Sequence, residues 1–240
     1  MISVIPAPTA VLIPGTGSDE VLVRAVFARP LAALGVDLVA PPPPPGGELA
    51  RGYLTLLDTV ANERGVPILV GGISFGAHLA AEWAVRNPGR CAGLLAALPA
   101  WNGLPGQAPA SLAAKLSADL VARDGVEPAL AASIEGVPGW LADELSRAWR
   151  RHGDGLAESL RVAAGHPAPT LEALAALDVP GGIATCVDDP IHPAELAHAW
   201  ASALTRASVC ETSLTAMGAD RESLGRATVL AWLRARSAPL

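Results

Sequence analysis

The sequence predicts an α/β protein with a mainly parallel sheet of about six strands, flanking helices and one helical insertion. Two observations support this fold class. Short apolar runs of strand length alternate with longer segments of helix length before residue 101 and again after residue 169. Residues 101–169 contain no strand-like run, and Gly and Pro divide them into four helical patches. We therefore expect a core built from residues 1–100 and 170–240, with 101–169 inserted as a separate helical unit.

Composition limits the classes of function that the chain can have. Its 240 residues suit one α/β domain with an insertion. Apolar residues make up 51% of the chain, enough for a large core, and no apolar run approaches the roughly 20 residues of a membrane span. The net charge of −6 argues against nucleic acid as a partner.

The cysteines and the amino terminus bear on the compartment. Cys91, Cys186 and Cys210 are scattered, which suits reduced thiols and gives no metal-ligand spacing. The first residues, Met1 to Pro6, lack the basic segment and cleavage site of a signal peptide. We therefore expect a cytoplasmic protein, and its oligomeric state stays open.

The first half of the chain alternates strand and helix. Apolar runs predict strands at 8–13, 36–40, 66–70 and 91–98, and longer segments predict helices at 19–34, 48–64 and 77–86. Five consecutive prolines, Pro41–Pro45, follow the second strand and cannot continue a helix or a central strand. They indicate either a rigid loop across the top of the sheet or a docking motif for a partner domain.

The second half begins with the insertion and then returns to strand and helix. Helical patches are predicted within the insertion at 110–123, 128–134, 139–151 and 156–164. After it, strands are predicted at 182–187 and 207–214, and helices at 170–177, 194–204 and 221–236.

One motif at the end of the third strand suggests nucleophilic catalysis. Gly72-x-Ser74-x-Gly76 stands between a buried strand and a helix. A tight turn of this kind holds a serine hydroxyl out at the carboxyl end of a sheet, with the next N–H, that of Phe75, near a helix N-terminus. The alternative is a glycine-rich turn with an incidental serine. The strand–turn–helix context favours the catalytic interpretation, and here the sequence resembles the α/β-hydrolase superfamily.

The resemblance extends to the loop after the first strand, Pro14-Gly15-Thr16-Gly17. In the family this loop usually reads His-Gly-x-Gly, and the residue after the first Gly donates an N–H to the oxyanion. That residue is Thr16 here, and Pro14 replaces the usual histidine. Gly15 would let the backbone approach a substrate closely. A plain strand-to-helix turn capped by Ser18 or Asp19 is the alternative.

The position of the insertion also resembles the family, in which many members place a helical cap over the active site. Trp101, Leu104 and Trp140, together with Trp149, are candidates to line an apolar acyl pocket beneath such a cap. The alternative is that these aromatic residues belong to an ordinary core.

The strand at 182–187 ends in Asp188-Asp189-Pro190-Ile191-His192-Pro193. The family often carries Asp-x-x-x-Pro at this point, with the Asp as the acid of the triad. Asp189 with Pro193 matches that spacing, and Asp188 is the second candidate. An Asp-Pro turn that caps the next helix is the alternative.

The resemblance fails at the general base, because no histidine follows His198 and the loop after the last strand, 215–220, has none. A serine without a base is a weak nucleophile. His192 is the first candidate, since its loop belongs to the same edge of the sheet as Ser74. The alternatives are His78, which we expect to be a buried structural histidine, His152 and His166 in the insertion, Asp220, or no base at all.

Two classes of function follow. The first is a serine hydrolase, or a related acyltransferase or lyase, that acts on a small-molecule acyl substrate and needs no metal or organic cofactor. The second is a catalytically silent α/β-hydrolase fold that binds a ligand or a protein, favoured by the missing histidine and by Pro14. A nucleotide-binding protein is a weaker third possibility, because Gly15-x-Gly17 lacks the third glycine of that motif.

Overall fold

The structure is a computed structural model that describes residues 7–237. Met1 to Pro6, where we expect no signal peptide, lie outside the described residues, as do 238–240. The strands are β1 (Thr9–Ile13), β2 (Asp37–Val39), β3 (Ile68–Ile73), β4 (Cys91–Ala97), β5 (Gly181–Cys186) and β6 (Ala207–Thr212). They form one sheet in the order β2-β1-β3-β4-β5-β6, and every neighbouring pair is parallel.

Eleven α-helices occur within residues 7–237. Those of the first half are α1 (Glu20–Ala32), α2 (Leu49–Arg64) and α3 (Phe75–Arg86). The insertion carries α4 (Pro109–Asp124), α5 (Val126–Ser133), α6 (Gly139–His152) and α7 (Leu156–Gly165). The remainder are α8 (Leu171–Ala175), α9 (Ala194–Ala203), α10 (Leu214–Ala219) and α11 (Glu222–Ser237). The α/β fold class predicted from the sequence is confirmed.

Helices cover both faces of the sheet and bury its central strands. Every residue of β1, β3 and β5 is buried, whereas the edge strands β2 and β6 are partly exposed. Helices α1 and α11 pack on one face, and α2, α3 and α9 pack on the other. Since all strands run parallel, the loops after β1, β3, β4 and β5 meet at one edge of the sheet.

The insertion lies between β4 and β5 in the chain and has a small core of its own. That core is made of buried apolar side chains from its four helices, among them Val121, Leu130, Trp149, Leu156 and Leu160. The insertion also contacts the proline loop, because Ser159 Oγ donates a hydrogen bond of 3.4 Å to the Gly46 carbonyl. The proline run is therefore a loop whose carboxyl end contacts the insertion, with Pro44 against Gly52 of α2.

One segment differs from its prediction. Residues 215–220, expected to be a loop, are mostly helical and belong to α10. The helix starts because Ser213 Oγ accepts a hydrogen bond of 3.0 Å from the Ala216 N–H, and Asp188 accepts one of 2.6 Å from the Leu214 N–H. With six residues, α10 is too short to give a helical period in the sequence.

Within residues 7–237, no helix has both the length and the apolar character required to cross a membrane.

Candidate active site

Ser74 occupies a strained turn between β3 and α3. Its backbone has φ 54° and ψ −116°, a conformation that costs a non-glycine residue free energy and is found mainly at functional sites. The flanking glycines make the turn possible, because a Cβ atom on either Gly72 or Gly76 would collide with the carbonyl oxygen of Ile13. The Gly-x-Ser-x-Gly spacing is thus required by the close approach of β1 to the turn.

The neighbouring strand β4 supports this turn. The Ser74 N–H donates a hydrogen bond of 2.8 Å to the carbonyl of Ala97, the last residue of β4. The next residue, Leu98, also has a positive φ of 54°, and its N–H donates to the Ala184 carbonyl at 2.8 Å. Two strained residues therefore stand side by side at the carboxyl edge of the sheet. Nothing in the sequence indicates the strained backbone at Leu98, because leucine has no preference for positive φ.

The loop after β5 brings His192 to Ser74. Its Nε2 atom lies 2.9 Å from Ser74 Oγ, and its Nδ1 atom lies 2.8 Å from Asp189 Oδ2. A carboxylate only accepts hydrogen bonds, so the Asp189 contact assigns the ring proton to Nδ1. Nε2 is then left with its lone pair toward the serine hydroxyl, which donates to it.

Asp189 is held rigidly as well. Its Oδ1 atom accepts hydrogen bonds from the N–H groups of Ile191, at 2.8 Å, and His192, at 3.2 Å. Burial raises the pKa of this carboxyl, but the contacts with His192 and with these N–H groups outweigh burial, and the net pKa is lowered. Asp189 is therefore ionised at neutral pH and fixes the orientation of the imidazole.

Asp188, the second candidate for the acid, has a different environment. Its side chain is exposed and accepts hydrogen bonds from the Leu214 and Thr215 N–H groups at the start of α10. Of the two adjacent aspartates, Asp189 is the one hydrogen-bonded to His192, and Asp188 caps a helix.

His78 is the buried structural histidine that we expected. Its side chain is fully buried, and its Nε2 atom accepts hydrogen bonds from the N–H groups of Ala100 at 3.0 Å and Trp101 at 3.4 Å. Burial, together with the nearby His192 and His166, lowers the pKa of His78 to about 3. It stays neutral and its acceptor nitrogen is occupied, so it does not serve Ser74.

The other candidates for the base also have partners of their own. His152 Nε2 lies 3.1 Å from the Ser18 carbonyl oxygen, and His166 Nε2 lies 2.6 Å from a carboxylate oxygen of Glu82. Asp220 is exposed and pairs with Arg226 at 2.6 Å. Among the candidates considered from the sequence, His192 is the one within hydrogen-bond distance of Ser74.

The loop after β1 lies against the serine. A Cβ atom built on Gly15 would be 3.5 Å from the Cβ of Ser74, which places this loop in contact with the turn. Over residues 7–237, neither the Thr16 N–H nor the Phe75 N–H has a hydrogen-bond partner within the protein. Phe75 is the first residue of α3, so its N–H also lies at the positive end of a helix dipole.

Trp101 and Trp140, two of the residues expected to line an acyl pocket, pack against different parts of the protein. Trp101 is buried against the His78 ring, with 4.4 Å between ring centroids. Trp140 packs on Gly218 of α10 and lies under the Arg221 guanidinium, 4.3 Å from the ring centroid.

Leu104 requires a correction. It was expected beneath the insertion, but it is 80% exposed on the surface. Gly103 and Gly106, both with positive φ, turn this segment sharply on either side of it. An amino-acid sequence alone does not tell to which side such a loop turns its apolar residue.

No group of three or more His, Cys, Asp or Glu side chains is arranged to hold a metal ion within residues 7–237. Ser74, His192 and Asp189 form a partly buried cluster in which a hydroxyl, an imidazole and a carboxylate are hydrogen-bonded in sequence. That combination is suited to acyl transfer by nucleophilic attack.

Comparison with known proteins indicates the fold. No protein-family model matches the chain, and no curated protein matches it in sequence. Among solved structures, a thermophilic esterase from Thermogutta terrifontis matches with a TM-score of 0.73 and 18% identity, over 95% of this chain and 89% of that one.

Two further structures give the same result. The enol-lactonase from Burkholderia xenovorans LB400 matches with a TM-score of 0.70 and 18% identity, over 95% of this chain and 92% of that chain. The thioesterase domain from the curacin biosynthetic pathway matches with a TM-score of 0.61 and 20% identity, over 96% and 92% respectively. These likenesses and the six-stranded parallel sheet show that this chain has the α/β-hydrolase fold.

Proposed function

We propose that this protein is a serine hydrolase that cleaves a small carboxylic ester or thioester through an acyl-enzyme on Ser74. One observation carries the proposal: the continuous hydrogen-bonded path from Ser74 Oγ through His192 to Asp189, with contacts of 2.9 Å and 2.8 Å. This path supplies the base that the region after the last strand lacks. The esterase, lactonase and thioesterase with the same fold are consistent with this reaction class.

In the first half of the reaction, Ser74 Oγ attacks the carbonyl carbon of the substrate. His192 Nε2 accepts the hydroxyl proton as the new C–O bond forms, and Asp189 stabilises the resulting imidazolium. The Thr16 and Phe75 N–H groups donate to the oxyanion of the tetrahedral intermediate. When the intermediate collapses, the bond to the leaving group breaks and His192 returns the proton to the leaving alcohol or thiol.

In the second half, water takes the place of the leaving group. The water oxygen attacks the acyl carbon while His192 accepts a proton from the water. The Thr16 and Phe75 N–H groups donate to the second oxyanion. Collapse of that intermediate releases the carboxylic acid and returns the proton to Ser74 Oγ. We assign the insertion, residues 101–169, the role of a cap over this site, with Trp101, Trp140 and Gly15 near the acyl group.

A fluorophosphonate probe tests the proposal without knowledge of the substrate. We expect the probe to label the protein once and the label to map to Ser74, because phosphonylation requires an activated serine. Ser74→Ala should abolish labelling, and His192→Ala should slow it strongly. An intact wild-type protein that neither reacts with the probe nor hydrolyses p-nitrophenyl acetate would favour the silent binding protein instead.

A further inference from the structure

Asp19 is a fully buried carboxylate just after the loop that carries Thr16. Its Oδ1 atom caps α1 by accepting from the Val21 N–H at 3.0 Å and the Leu22 N–H at 3.4 Å. A neutral serine or asparagine would cap the helix equally well. A buried negative charge at this position therefore requires a further explanation, because burial of an unpaired charge is costly.

The partner of that charge comes from the insertion. Arg147 of α6 donates from Nη2 to Asp19 Oδ1 at 2.7 Å and from Nε to Asp19 Oδ2 at 3.0 Å, although 128 positions separate the two residues. The same guanidinium donates to Glu144 at 2.5 Å. Burial raises the pKa of Asp19, but the hydrogen bonds and charge of Arg147 outweigh this effect and lower it overall. The pair is therefore ionised and joined by two hydrogen bonds. In this bidentate geometry the planar guanidinium group matches a carboxylate better than a lysine ammonium group does.

Other residues near the carboxyl end of α6 also contact the segment 17–20. Trp149 packs against Gly17, where an added Cβ would approach its Nε1 atom to 2.9 Å. His152 Nε2 lies 3.1 Å from the Ser18 carbonyl oxygen, and Arg151 pairs with Glu20 at 2.5 Å. Residues 17–20 are thus bonded to the last two turns of α6.

We infer that Arg147 is a positioning residue: through Asp19 it fixes the loop that aims the Thr16 N–H at the oxyanion. This inference rests on the proposed function. A hydrogen-bond donor stabilises a transition state only when it is held at the place where charge develops, so a displaced loop weakens the chemical step. Substrate binding depends less on this one donor, and the base on the opposite loop is unaffected.

The helix supplies a matched control. Arg150 makes the same bidentate contact, because its Nε and Nη2 atoms donate to the Glu127 carboxylate at 2.8 Å each. This pair, however, is exposed and lies wholly within the insertion. We would compare Arg147→Met with Arg150→Met, using p-nitrophenyl acetate for kinetics and, for loop order, hydrogen exchange of the Ser18 amide, which donates to the Gly15 carbonyl at 3.1 Å. Asp19→Asn breaks the ion pair with Arg147 from the other side, because it retains the capping oxygen but removes the charge.

Complete loss of one oxyanion donor lowers kcat by about 10²–10³-fold, so we expect a displaced donor in Arg147→Met to lower it by about 10-fold or more. KM should change by less than about two-fold, and the acid side of the pH–rate profile should keep its wild-type position. Exchange of the Ser18 amide should accelerate, and Arg147→Lys should recover part of kcat. Asp19→Asn should match Arg147→Met, and the double variant should be no worse than either single variant.

Arg147→Met and Arg150→Met with equal kcat and equal exchange of the Ser18 amide, in an active wild type, would overturn the inference. A loss confined to KM would overturn it too, as would a displaced acid side of the pH–rate profile. Failure of the proposed function has a different signature, because the wild type itself would then show neither hydrolysis nor labelling of Ser74.

Discussion

His192 Nε2 lies 2.9 Å from Ser74 Oγ, and the two residues are 118 positions apart in the chain. The contact joins the loop after β5 to the turn after β3, two strands separated in the sheet by β4 alone. If His192 is the base, His192→Ala should lower kcat/KM by about 10²-fold or more and remove the acid side of its pH profile. His198→Ala, a change at an exposed histidine on α9, is the control. Near-normal turnover in His192→Ala would exclude this base.

Ser74→Ala should abolish hydrolysis of p-nitrophenyl esters because it removes the nucleophile. The thermal midpoint should stay nearly unchanged, since within residues 7–237 the Ser74 hydroxyl makes a single hydrogen bond, to His192, and the strained backbone persists with alanine. Steady-state assays and thermal unfolding of the two proteins provide the measurements. A variant that retains full activity would contradict the acyl-enzyme mechanism.

Asp189→Asn and Asp188→Asn should have unequal effects on rate. Asp189 is hydrogen-bonded to His192 Nδ1, so its amide replacement removes the charge that stabilises the imidazolium and lets the ring adopt the wrong tautomer. Asp188 caps α10, so its replacement should affect mainly stability. We expect kcat to fall at least about 10²-fold in Asp189→Asn and to change little in Asp188→Asn. Equal kcat values in the two variants would contradict the assignment.

His78 should make stability depend on pH. Its pKa is lowered from 6.5 to about 3 in the folded protein, so between these values the unfolded chain binds a proton that the folded chain does not. Stability from this group is complete above 6.5 and decreases as the pH falls, by up to about 1.4 kcal/mol per pH unit. Urea unfolding at several pH values should therefore give a shallower decline for His78→Gln than for wild type or His198→Gln. Parallel curves for wild type and His78→Gln would contradict this account.

Gly76→Ala should destabilise the protein although alanine favours helices, because the new methyl group would meet the backbone carbonyls of Ile13 and Pro14. Gly89→Ala is the matched control, since no atom lies within 4 Å of an added Cβ at that position. We expect a clear fall in the thermal midpoint for Gly76→Ala alone. A neutral Gly76→Ala would mean that the loop after β1 can move away from the turn.

Local patterns in the sequence were sufficient to predict most of the fold. Apolar runs predicted all six strands. The runs of β1, β3 and β5 are continuous because these strands are buried on both faces and show no alternation. The topology also placed His192 and Ser74 at one edge of the sheet. The short helix α10 was missed because its start depends on Asp188, a residue that is 26 positions away from Leu214.

Other features of the site depend on geometry that one-dimensional patterns do not contain. The Asp-x-x-x-Pro spacing favoured Asp189 over Asp188, but only the direction of the turn decides which of these chemically identical side chains contacts His192. The exposure of Leu104 follows from two tight turns, and the Arg147–Asp19 pair joins residues 128 positions apart. Neither the exposure of Leu104 nor the Arg147–Asp19 pair corresponds to a periodic pattern or a motif in the sequence.

Asp189 and His192 stand three positions apart in one loop, so the acid and the proposed base form a single short peptide. Their mutual orientation is encoded locally and does not depend on the path of the chain after β6. On the proposed mechanism, α10 and α11 therefore contribute to the packing around the site and not to the proton transfer. Grafting this one hexapeptide, 188–193, onto a base-less relative of the same fold would transfer both residues at once.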